Sequence, residues 1–253
     1  MKILVTGATS GFGKAMAEKF AAGGHELWIT GRRQEKLRSI SKTLSGQYHH
    51  DIRITTVDVR KKTEVRSLAK DIQERWGYVD VLINNAGLAL GFSGIESGDT
   101  DDWDTMIDTN IKGLLYVTRA ISPMMCGRRS GHIINIGSTA GKVVYQNGNV
   151  YCATKFAVDA LSQSMRIDLL PYNIKVTAIN PGMAETEFSL VRFKGDAEKA
   201  GKTYEGFLPL KPGDIADIAD YCISLPKHVC INDLTVTCTQ QANSIYKTAS
   251  GSL

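Results

Sequence analysis

The chain has 253 residues, of which 43% are apolar and 22% are charged, with a formal net charge of +4; a chain of this size folds around its own core without a disulfide or a metal. Its scattered basic residues argue against a nucleic-acid partner, and it shows neither a signal-peptide pattern nor the run of about 20 apolar residues that a membrane span needs. Five cysteines without a CxxC pair indicate free thiols in a reducing compartment, so we expect a cytoplasmic protein.

Short apolar runs alternate with longer amphipathic segments along the chain. The runs are rich in β-branched residues, as is typical of strands: KILVTG, HELWITG, IRITTVD, DVLINNAG, GHIINIGS, IKVTAINPG and NDLTVTC. Segments of helical length lie between them, at 14–22, 34–44, 61–76, 103–125, 150–170 and 214–224. This alternation predicts a parallel sheet covered on both faces. We therefore predict an α/β protein, a single doubly wound Rossmann-type domain over residues 1–253 with about seven strands and ligands at their carboxyl ends.

Two segments break this alternation. Residues 183–210 are polar, rich in glycine and charges, and lie between a predicted strand and a predicted helix. Connections of this length are usually lids, binding loops or disordered segments, and we expect a lid-like substrate segment here. The polar tail after Cys238 is expected to be either loose or held by a neighbouring subunit.

The first predicted strand runs directly into the turn TGATSGFG. Gly7 permits the tight turn, Gly11 lets the backbone approach a ligand, and Gly13 lets the following helix pack closely on the strand. Because the turn follows a strand and opens a helix, it predicts dinucleotide binding, with helix amides facing a pyrophosphate. A plain strand-to-helix turn is the alternative. The predicted cofactor-binding residues of the turn are Gly7, Thr9, Ser10, Gly11, Phe12 and Gly13.

Two arginines, Arg32 and Arg33, follow the second predicted strand. An NAD site usually carries an acid about 20 residues after the glycine turn, where it binds the ribose 2′-hydroxyl. The nearest acid here, Glu35, falls inside the next predicted helix. Two guanidinium groups suit a 2′-phosphate instead, so the sequence favours NADP over NAD. Two solvated surface arginines are the alternative.

Further cofactor contacts are expected where the third and fourth strands end. Asp58, with Val59 beside it, follows the third strand, where a carboxylate could accept a hydrogen bond from the adenine amino group. In the NNAG segment, Asn85, Ala86 and Gly87 suit close packing beside the adenosine ribose. Ordinary strand-end turns would account for either group as well.

A serine, a tyrosine and a lysine follow the fifth predicted strand. Ser138 lies at the carboxyl edge of the sheet, and Tyr151 and Lys155 are four residues apart in a helical pattern, so they share one helix face. A tyrosine of ordinary pKa, about 10, is a poor base, but a nearby ammonium lowers that pKa toward the range useful for general acid–base catalysis. Ser138 would hold the substrate oxygen while Tyr151 transfers the proton. A strand-end serine and an exposed helical pair are the alternative.

Taken together, these motifs resemble those of the classical short-chain dehydrogenase/reductase family. In family order they are TGxxxGxG at 6–13, NNAG at 84–87, YxxxK at 151–155 and PGxxxT at 181–186. The resemblance implies a catalytic tetrad of Asn110, Ser138, Tyr151 and Lys155, with Tyr151 and Lys155 also binding the cofactor. It implies that Asn110 holds a water that relays protons to Lys155. It also implies that Pro181, Gly182 and Thr186 contact the nicotinamide end of NADP.

Two segments, INIGSTAGKVVYQNGNVYCATK and TEFSLVRFKGD, further resemble the NADP-dependent 3-hydroxy acid dehydrogenase branch of the family. Its members oxidise serine, allo-threonine and related 3-hydroxy acids, and in reverse they reduce malonic semialdehyde. Such a substrate needs a clamp for its carboxylate. We expect Arg192 to be that clamp, with Gln146 and Asn147 as helpers, and Glu185 to bring an acid near the substrate mouth. An arginine that tethers the lid to the surface or to another subunit is the alternative.

Other functions remain compatible with the motifs. A reductase of 3-oxoacyl, sugar or steroid carbonyls would use the same tetrad, and a non-catalytic NADP-binding regulator would need the glycine turn but neither Tyr151 nor Lys155. The family also implies a homotetramer or homodimer built on the two long helices predicted at 103–125 and 151–170, both of which carry more apolar positions than one buried face requires.

Overall fold

Seven parallel strands form the central sheet of the chain in the computed structural model, which describes residues 1–248. The strands are β1 (Lys2–Val5), β2 (Glu26–Gly31), β3 (Ile52–Thr56), β4 (Val81–Asn84), β5 (Gly131–Ile136), β6 (Ile174–Pro181) and β7 (Asp233–Val236). Their order across the sheet is β3-β2-β1-β4-β5-β6-β7. The order reverses between β1 and β4, and such a switch point opens the crevice in which doubly wound folds bind ligands. The predicted fold class and strand number are confirmed.

Helices cover both faces of the sheet. They are α1 (Gly11–Ala22), α2 (Gln34–Tyr48), α3 (Lys62–Arg75), α4 (Thr100–Ile107), α5 (Leu114–Arg128), α6 (Asn149–Leu169), α7 (Glu187–Arg192), α8 (Ala197–Lys202) and α9 (Pro212–Ser224). Successive residues of a strand point to opposite faces. Ile3 and Val5 therefore pack with α1, α2 and α9, whereas Leu4 packs with α3, α5 and α6. The strand is apolar on both faces, as the sequence pattern predicts.

A buried set of polar side chains joins β4 and β5 to α5 and α6. Asn84 and Asn135 are register partners in the sheet, and the Asn84 amide donates to Asn135 Oδ1 and to Thr118 Oγ1, both at 2.9 Å. The Asn135 amide in turn donates to Ser162 Oγ at 2.9 Å. A slip of one residue in register would move these side chains to opposite faces. The bonds therefore fix where β4 and β5 end, which is where NNAG and Ser138 begin.

The helix predicted at 103–125 is interrupted. α4 and α5 are separated by a π-helical turn over Asp108–Gly113. Such turns are rare and occur frequently at functional sites, because the wider turn redirects side chains. This one contains Asn110, whose side chain is buried. The apolar pattern over 103–125 is helical throughout, so it gives no sign of the interruption.

The segment 183–210, called the lid below, contains α7 and α8 and is joined at its base. The Leu210 amide donates to the Met183 carbonyl at 3.0 Å, and the Glu185 amide donates to the Leu210 carbonyl at 2.9 Å. Inside the lid, the Tyr204 hydroxyl donates to the Ala184 carbonyl at 2.9 Å. The lid is therefore a compact unit with its own hydrogen bonds rather than an irregular loop.

The tail after Cys238 packs on the lid of its own chain. Gln241 Oε1 accepts from the Met183 amide at 2.8 Å, and the Lys247 ammonium donates to the Thr203 carbonyl at 3.3 Å. Residues 249–253, the end of the predicted tail, lie outside the described residues. Among the helices described here, none has both the length and the apolar character needed to cross a membrane.

Candidate active site

The glycine turn between β1 and α1 is formed by close backbone packing. Gly7 has a φ of +66°, and a Cβ there would lie 2.8 Å from the Ala86 Cα, so glycine is required on both counts. At Gly13 a Cβ would lie 2.5 Å from the Gly7 carbonyl oxygen, which explains the predicted close packing of the helix. The Asn85 amide donates to the carbonyls of Thr6 and Gly7, at 2.9 and 3.1 Å. Asn85 therefore braces the turn itself.

A cleft of about 830 Å³ runs along the carboxyl ends of the strands. It is lined by most of the predicted site residues: Gly7, Thr9, Ser10, Gly11, Phe12, Arg32, Arg33, Asp58, Val59, Asn85, Ala86, Gly87, Ser138, Tyr151, Lys155, Pro181, Gly182, Thr186 and Arg192. Gly13, Asn110, Gln146 and Asn147 do not line it. The size of the cleft and the missing β-carbons along the turn fit a dinucleotide.

At one end of the cleft, Arg33 is held by several partners. Its guanidinium donates to Thr9 Oγ1 at 2.8 and 3.1 Å and to Ser10 Oγ at 2.8 Å. It also forms a 2.7 Å ion pair with Glu187 of the lid, whose other oxygen lies 2.8 Å from the Lys36 ammonium. Sequence reasoning missed Lys36 and Glu187. Lys36 lies only three residues after Arg33, but no sequence pattern indicates that Glu187 contacts either residue.

The expected adenine contact, Asp58, is occupied by a neighbour. The Arg60 guanidinium donates to Asp58 Oδ1 at 2.9 Å and to Asp58 Oδ2 at 2.6 Å. The hydrogen bond from the Arg60 side chain holds the pKa of Asp58 below its usual range, so the carboxylate is ionised and able to accept a further bond. Asp58 lines the cleft from β3 at the same end as Arg32, which is exposed.

At the other end of the cleft, Ser138, Tyr151 and Lys155 come together as predicted. Tyr151 and Lys155 are both buried, on one face of α6. The Lys155 ammonium donates to the Ile136 carbonyl at 2.9 Å and lies 5.9 Å from the centroid of the Tyr151 ring. Ser138 Oγ accepts from the Ala140 amide at 3.1 Å. The alternative of an exposed helical pair is wrong, because both side chains are enclosed.

The pKa values of this pair are governed by burial. Burial raises the pKa of Tyr151, and the Tyr145 phenol raises it further, whereas a hydrogen bond with Ser138 and the Arg192 charge oppose the shift. Burial lowers the pKa of Lys155 to about 8. The expected lowering of the Tyr151 pKa by Lys155 is therefore not seen. At neutral pH the phenol is protonated and can act as a proton donor.

Asn110 occupies the π-helical turn beside this group. Its amide donates to the Leu88 carbonyl at 2.8 Å and to Thr154 Oγ1 at 3.0 Å, and its Oδ1 accepts from the Leu88 amide at 2.9 Å. Thr154 Oγ1 donates to the Tyr151 carbonyl at 2.7 Å. Asn110 thus joins the segment after NNAG to the helix that carries Tyr151 and Lys155. Only the family resemblance pointed to it, since its partners are distant in sequence.

Arg192, at the end of α7, reaches the same part of the cleft. Its guanidinium donates to the Tyr145 hydroxyl at 2.7 Å and lies over three rings, those of Phe92, Tyr145 and Tyr151, at 5.1, 5.4 and 5.3 Å from their centroids. It also donates to the Gly91 carbonyl at 3.4 Å. The predicted clamp residue therefore lies beside the phenol and ties the lid to the rim. Tyr145 and Phe92 were not predicted.

The predicted helpers lie elsewhere. Gln146 is exposed, and Asn147, which has a φ of +61°, lines a smaller adjoining cavity of about 240 Å³ that also borders Tyr151 and Arg192. Glu185 is exposed and does not itself line the cleft, although Ala184 and Thr186 on either side of it do; its expected effect at the substrate mouth stays a prediction. The acid of the lid that enters the cleft is Glu187.

Fold and site together are those of a nucleotide-dependent dehydrogenase, and a family model described as short chain dehydrogenase matches residues 1–196. The chain belongs to the short-chain dehydrogenase family, which confirms the resemblance seen in the motifs. It is 48% identical over 233 residues to the NADP-dependent 3-hydroxy acid dehydrogenase YdfG of Salmonella typhi, with 92% of each chain covered. It is 42% identical over 245 residues to Sulfoacetaldehyde reductase 2 of Chromohalobacter salexigens, with 96% of each covered.

Solved structures agree with this assignment. The chain is similar to the closed form of serine dehydrogenase complexed with NADP+, with a TM-score of 0.93 and 43% identity over 99% of this chain and 100% of that one. It is also similar to serine dehydrogenase from Escherichia coli, with a TM-score of 0.82 and 39% identity over 96% of this chain and 100% of that chain.

Proposed function

We propose that the chain is an NADP-dependent oxidoreductase of small 3-hydroxy acids such as serine, allo-threonine and 3-hydroxypropionate, the last interconverting with malonic semialdehyde. The observation that carries this proposal is the position of Arg192, a cation beside the proton-transferring phenol of Tyr151. A guanidinium there would bind a carboxylate in a bidentate manner, while the hydroxyl of the same molecule reaches Tyr151. The relatives named above support the same class of substrate.

The chain offers a complete set of groups for NADP. Backbone amides at the start of α1 would face the pyrophosphate. Arg32 and Arg33, which both line the cleft, would receive the 2′-phosphate, with Lys36 close to Arg33. Thr186 and Gly182, which line the same cleft as Tyr151 and Lys155, would contact the nicotinamide end. When bound, NADP(H) supplies or accepts the hydride at the substrate carbon.

The residues of the tetrad would handle the proton. Ser138 would hold the substrate oxygen by a hydrogen bond, and Tyr151 would donate its proton to that oxygen in reduction or accept it in oxidation. Lys155 would supply a positive charge that stabilises the phenolate formed in between. Asn110, through Leu88 and Thr154, would keep α6 in place; its predicted role in holding a water stays a proposal.

A direct assay tests this function. NADP+ reduction followed at 340 nm with L-serine, L-allo-threonine and 3-hydroxypropionate, and repeated with NAD+, is expected to show turnover with NADP+ and much less with NAD+. Absence of turnover with all three acids would contradict the substrate assignment. It would redirect the search to 3-oxoacyl, sugar and steroid carbonyls, since the family assignment does not depend on the result.

A sulfonated aldehyde is a second candidate substrate. The guanidinium of Arg192 would bind a sulfonate as readily as a carboxylate, because both present oxygens to a planar pair of donors, and a sulfoacetaldehyde reductase is among the relatives. NADPH oxidation with sulfoacetaldehyde, compared with malonic semialdehyde at equal concentration, distinguishes the two. A larger kcat/KM for sulfoacetaldehyde would favour the second candidate.

We also propose that the enzyme is a cytoplasmic homotetramer or homodimer. Large apolar side chains are exposed on α5 and α6 and just beyond: Leu115, Phe156, Ile167, Leu170 and Tyr172. Apolar surface of this kind on a helical face is typical of subunit interfaces. α5 and α6 overlap the two helices, predicted at 103–125 and 151–170, that the family resemblance assigns to the subunit interface.

A further inference from the structure

Glu187, the first residue of α7, reaches across the cleft from the lid. One of its oxygens lies 2.7 Å from Arg33 Nη1 and the other lies 2.8 Å from Lys36 Nζ. Its place at the start of the helix is fixed, because the Thr186 side chain caps α7 by accepting from the Phe188 amide at 3.1 Å. A carboxylate from the lid therefore pairs with Arg33, which lines the nucleotide end of the cleft, and with Lys36, which lies close to Arg33.

The site around Glu187 is built for an anion. Arg33 is oriented by Thr9 and Ser10 independently of Glu187, so its guanidinium is already in place for any negatively charged group. Hydrogen bonds from Lys36 and then Arg33 lower the pKa of Glu187 to about 2. The carboxylate is thus charged at every pH at which an enzyme of this kind is assayed, and it attracts the two cations continuously.

We propose that Glu187 competes with the 2′-phosphate of NADP for Arg33 and Lys36, and thereby weakens the binding of NADP relative to NAD. The inference rests on the proposed assignment of the 2′-phosphate to Arg33. A phosphate dianion and a carboxylate cannot both occupy the same donors without repulsion. Binding of NADP must therefore separate Glu187 from the cations, whereas binding of NAD, which lacks the 2′-phosphate, leaves the ion pairs intact.

The effect should be modest. The side chains of Arg33, Lys36 and Glu187 are 42%, 48% and 40% exposed, and exposed ion pairs are weak because water and salt screen them. Loss of the two pairs is therefore expected to change the dissociation constant of NADP+ by about twofold to tenfold. The same weakness makes the competition reversible, so that it tunes affinity rather than blocking the cofactor.

The test compares Glu187→Gln with the matched control Glu185→Gln. Both variants remove one negative charge from the lid, but Glu185 is exposed and lies outside the cleft. Dissociation constants are measured by calorimetry for NADP+, NAD+, adenosine 2′,5′-bisphosphate and 5′-AMP, without substrate. Glu187→Gln should bind NADP+ and the bisphosphate about twofold to tenfold more tightly, with NAD+ and 5′-AMP unchanged. Glu185→Gln should resemble the wild type.

Two results would overturn the inference: NADP+ binding to Glu187→Gln that is unchanged or weaker, or equal tightening of NAD+ and NADP+. A third variant, Arg33→Ala, separates this failure from failure of the 2′-phosphate assignment. If Arg33→Ala keeps the wild-type preference for NADP+, the assignment itself is wrong and the competition falls with it. If Arg33→Ala abolishes the preference while Glu187→Gln leaves it unaltered, only the competition is wrong. Thermal melts establish that each variant is folded.

Discussion

The ammonium of Lys155 is buried next to the phenol of Tyr151, and burial shifts the pKa of each group in the direction that favours its uncharged form. Their spacing in YxxxK is readable from the sequence because it depends only on helix geometry. The direction of the Tyr151 pKa shift was not readable, because it depends on the enclosing side chains. Tyr145 and Arg192 come from outside α6 and are brought to the phenol by folding. Proximity along a helix is local information, whereas burial is not.

Replacement of Lys155 by methionine should abolish turnover and stabilise the fold. The ammonium has a pKa of about 8 when folded and 10.5 as its ordinary value, so burial of the charge destabilises the folded state most strongly below pH 8. This penalty disappears as the pH rises from 8 to 10.5. At pH 7 the Lys155→Met variant should melt several degrees higher, at about 2–4 °C per kcal/mol.

Differential scanning calorimetry at pH 7 and pH 10 checks this expectation. The difference in melting temperature between Lys155→Met and the wild type should shrink at the higher pH, because the wild-type lysine is then largely neutral. A variant that melts lower than the wild type at pH 7 would show that the bond to the Ile136 carbonyl outweighs the cost of burying the charge.

The phenol itself is open to a direct test. Tyr151→Phe removes the proton donor but keeps the ring, its burial and its packing against Phe188. General acid–base groups contribute about 10²–10⁴-fold to a rate, so kcat should fall by that factor while NADPH binding, measured by fluorescence titration, changes little. Retention of near wild-type kcat would contradict the assigned role of Tyr151.

At the scale of elements, the sequence pattern did not predict the π-helical turn or the internal structure of the lid. The turn over Asp108–Gly113 lies within an uninterrupted helical pattern, and Asn110 is paired with groups 22 and 44 residues away. The lid was predicted from its length and polarity, but its internal helices and its contact between Glu187 and Arg33, 154 residues apart, were not. Both depend on tertiary contacts that no local pattern encodes.

The lid prediction concerns Arg192, which either binds the substrate carboxylate or only ties α7 to the rim. With Arg192→Ala, KM for 3-hydroxypropionate should rise about 10- to 100-fold, the loss of a charge-assisted bidentate contact. KM for its neutral methyl ester should stay unchanged. Arg192→Lys keeps the charge but loses the planar pair of donors, so its KM for 3-hydroxypropionate should lie between those of the wild type and Arg192→Ala.

Steady-state kinetics with the acid and the ester separate the two roles. Equal increases in KM for both compounds would indicate that Arg192 acts only through the lid, by its bonds to Tyr145 and Gly91. An effect confined to the acid would support the carboxylate clamp.

At the scale of the whole molecule, the fold could be predicted because the same strand and helix patterns recur along the sequence. Strands apolar on both faces recur with helices between them, and the parallel sheet is the arrangement that buries both faces of every strand. Assembly is less readable, since an apolar helix face can pack on the sheet or on another subunit. Much of the apolar surface of α5 and α6 is indeed used within the chain, and only a few side chains remain exposed.

Light scattering should return a dimer or tetramer at micromolar concentration, and Phe156→Glu on α6 should shift it toward monomer. Phe156 is 42% exposed, and a charge there would be desolvated in an interface. The matched control is Tyr221→Glu on α9, whose side chain is 58% exposed. A wild type that is monomeric throughout would contradict the proposed assembly.

The paired ends of the lid also bear on how this scaffold diversifies. Because the bridge between Ala184 and Leu210 closes the segment at its base, insertions on its exposed side would not change the spacing of β6 and α9. The entropy of closing a loop grows slowly with its length, so insertions there cost little stability. Ser138, Tyr151 and Lys155 lie outside this segment, so a change of length within it leaves the groups proposed for proton transfer on the rigid part of the fold.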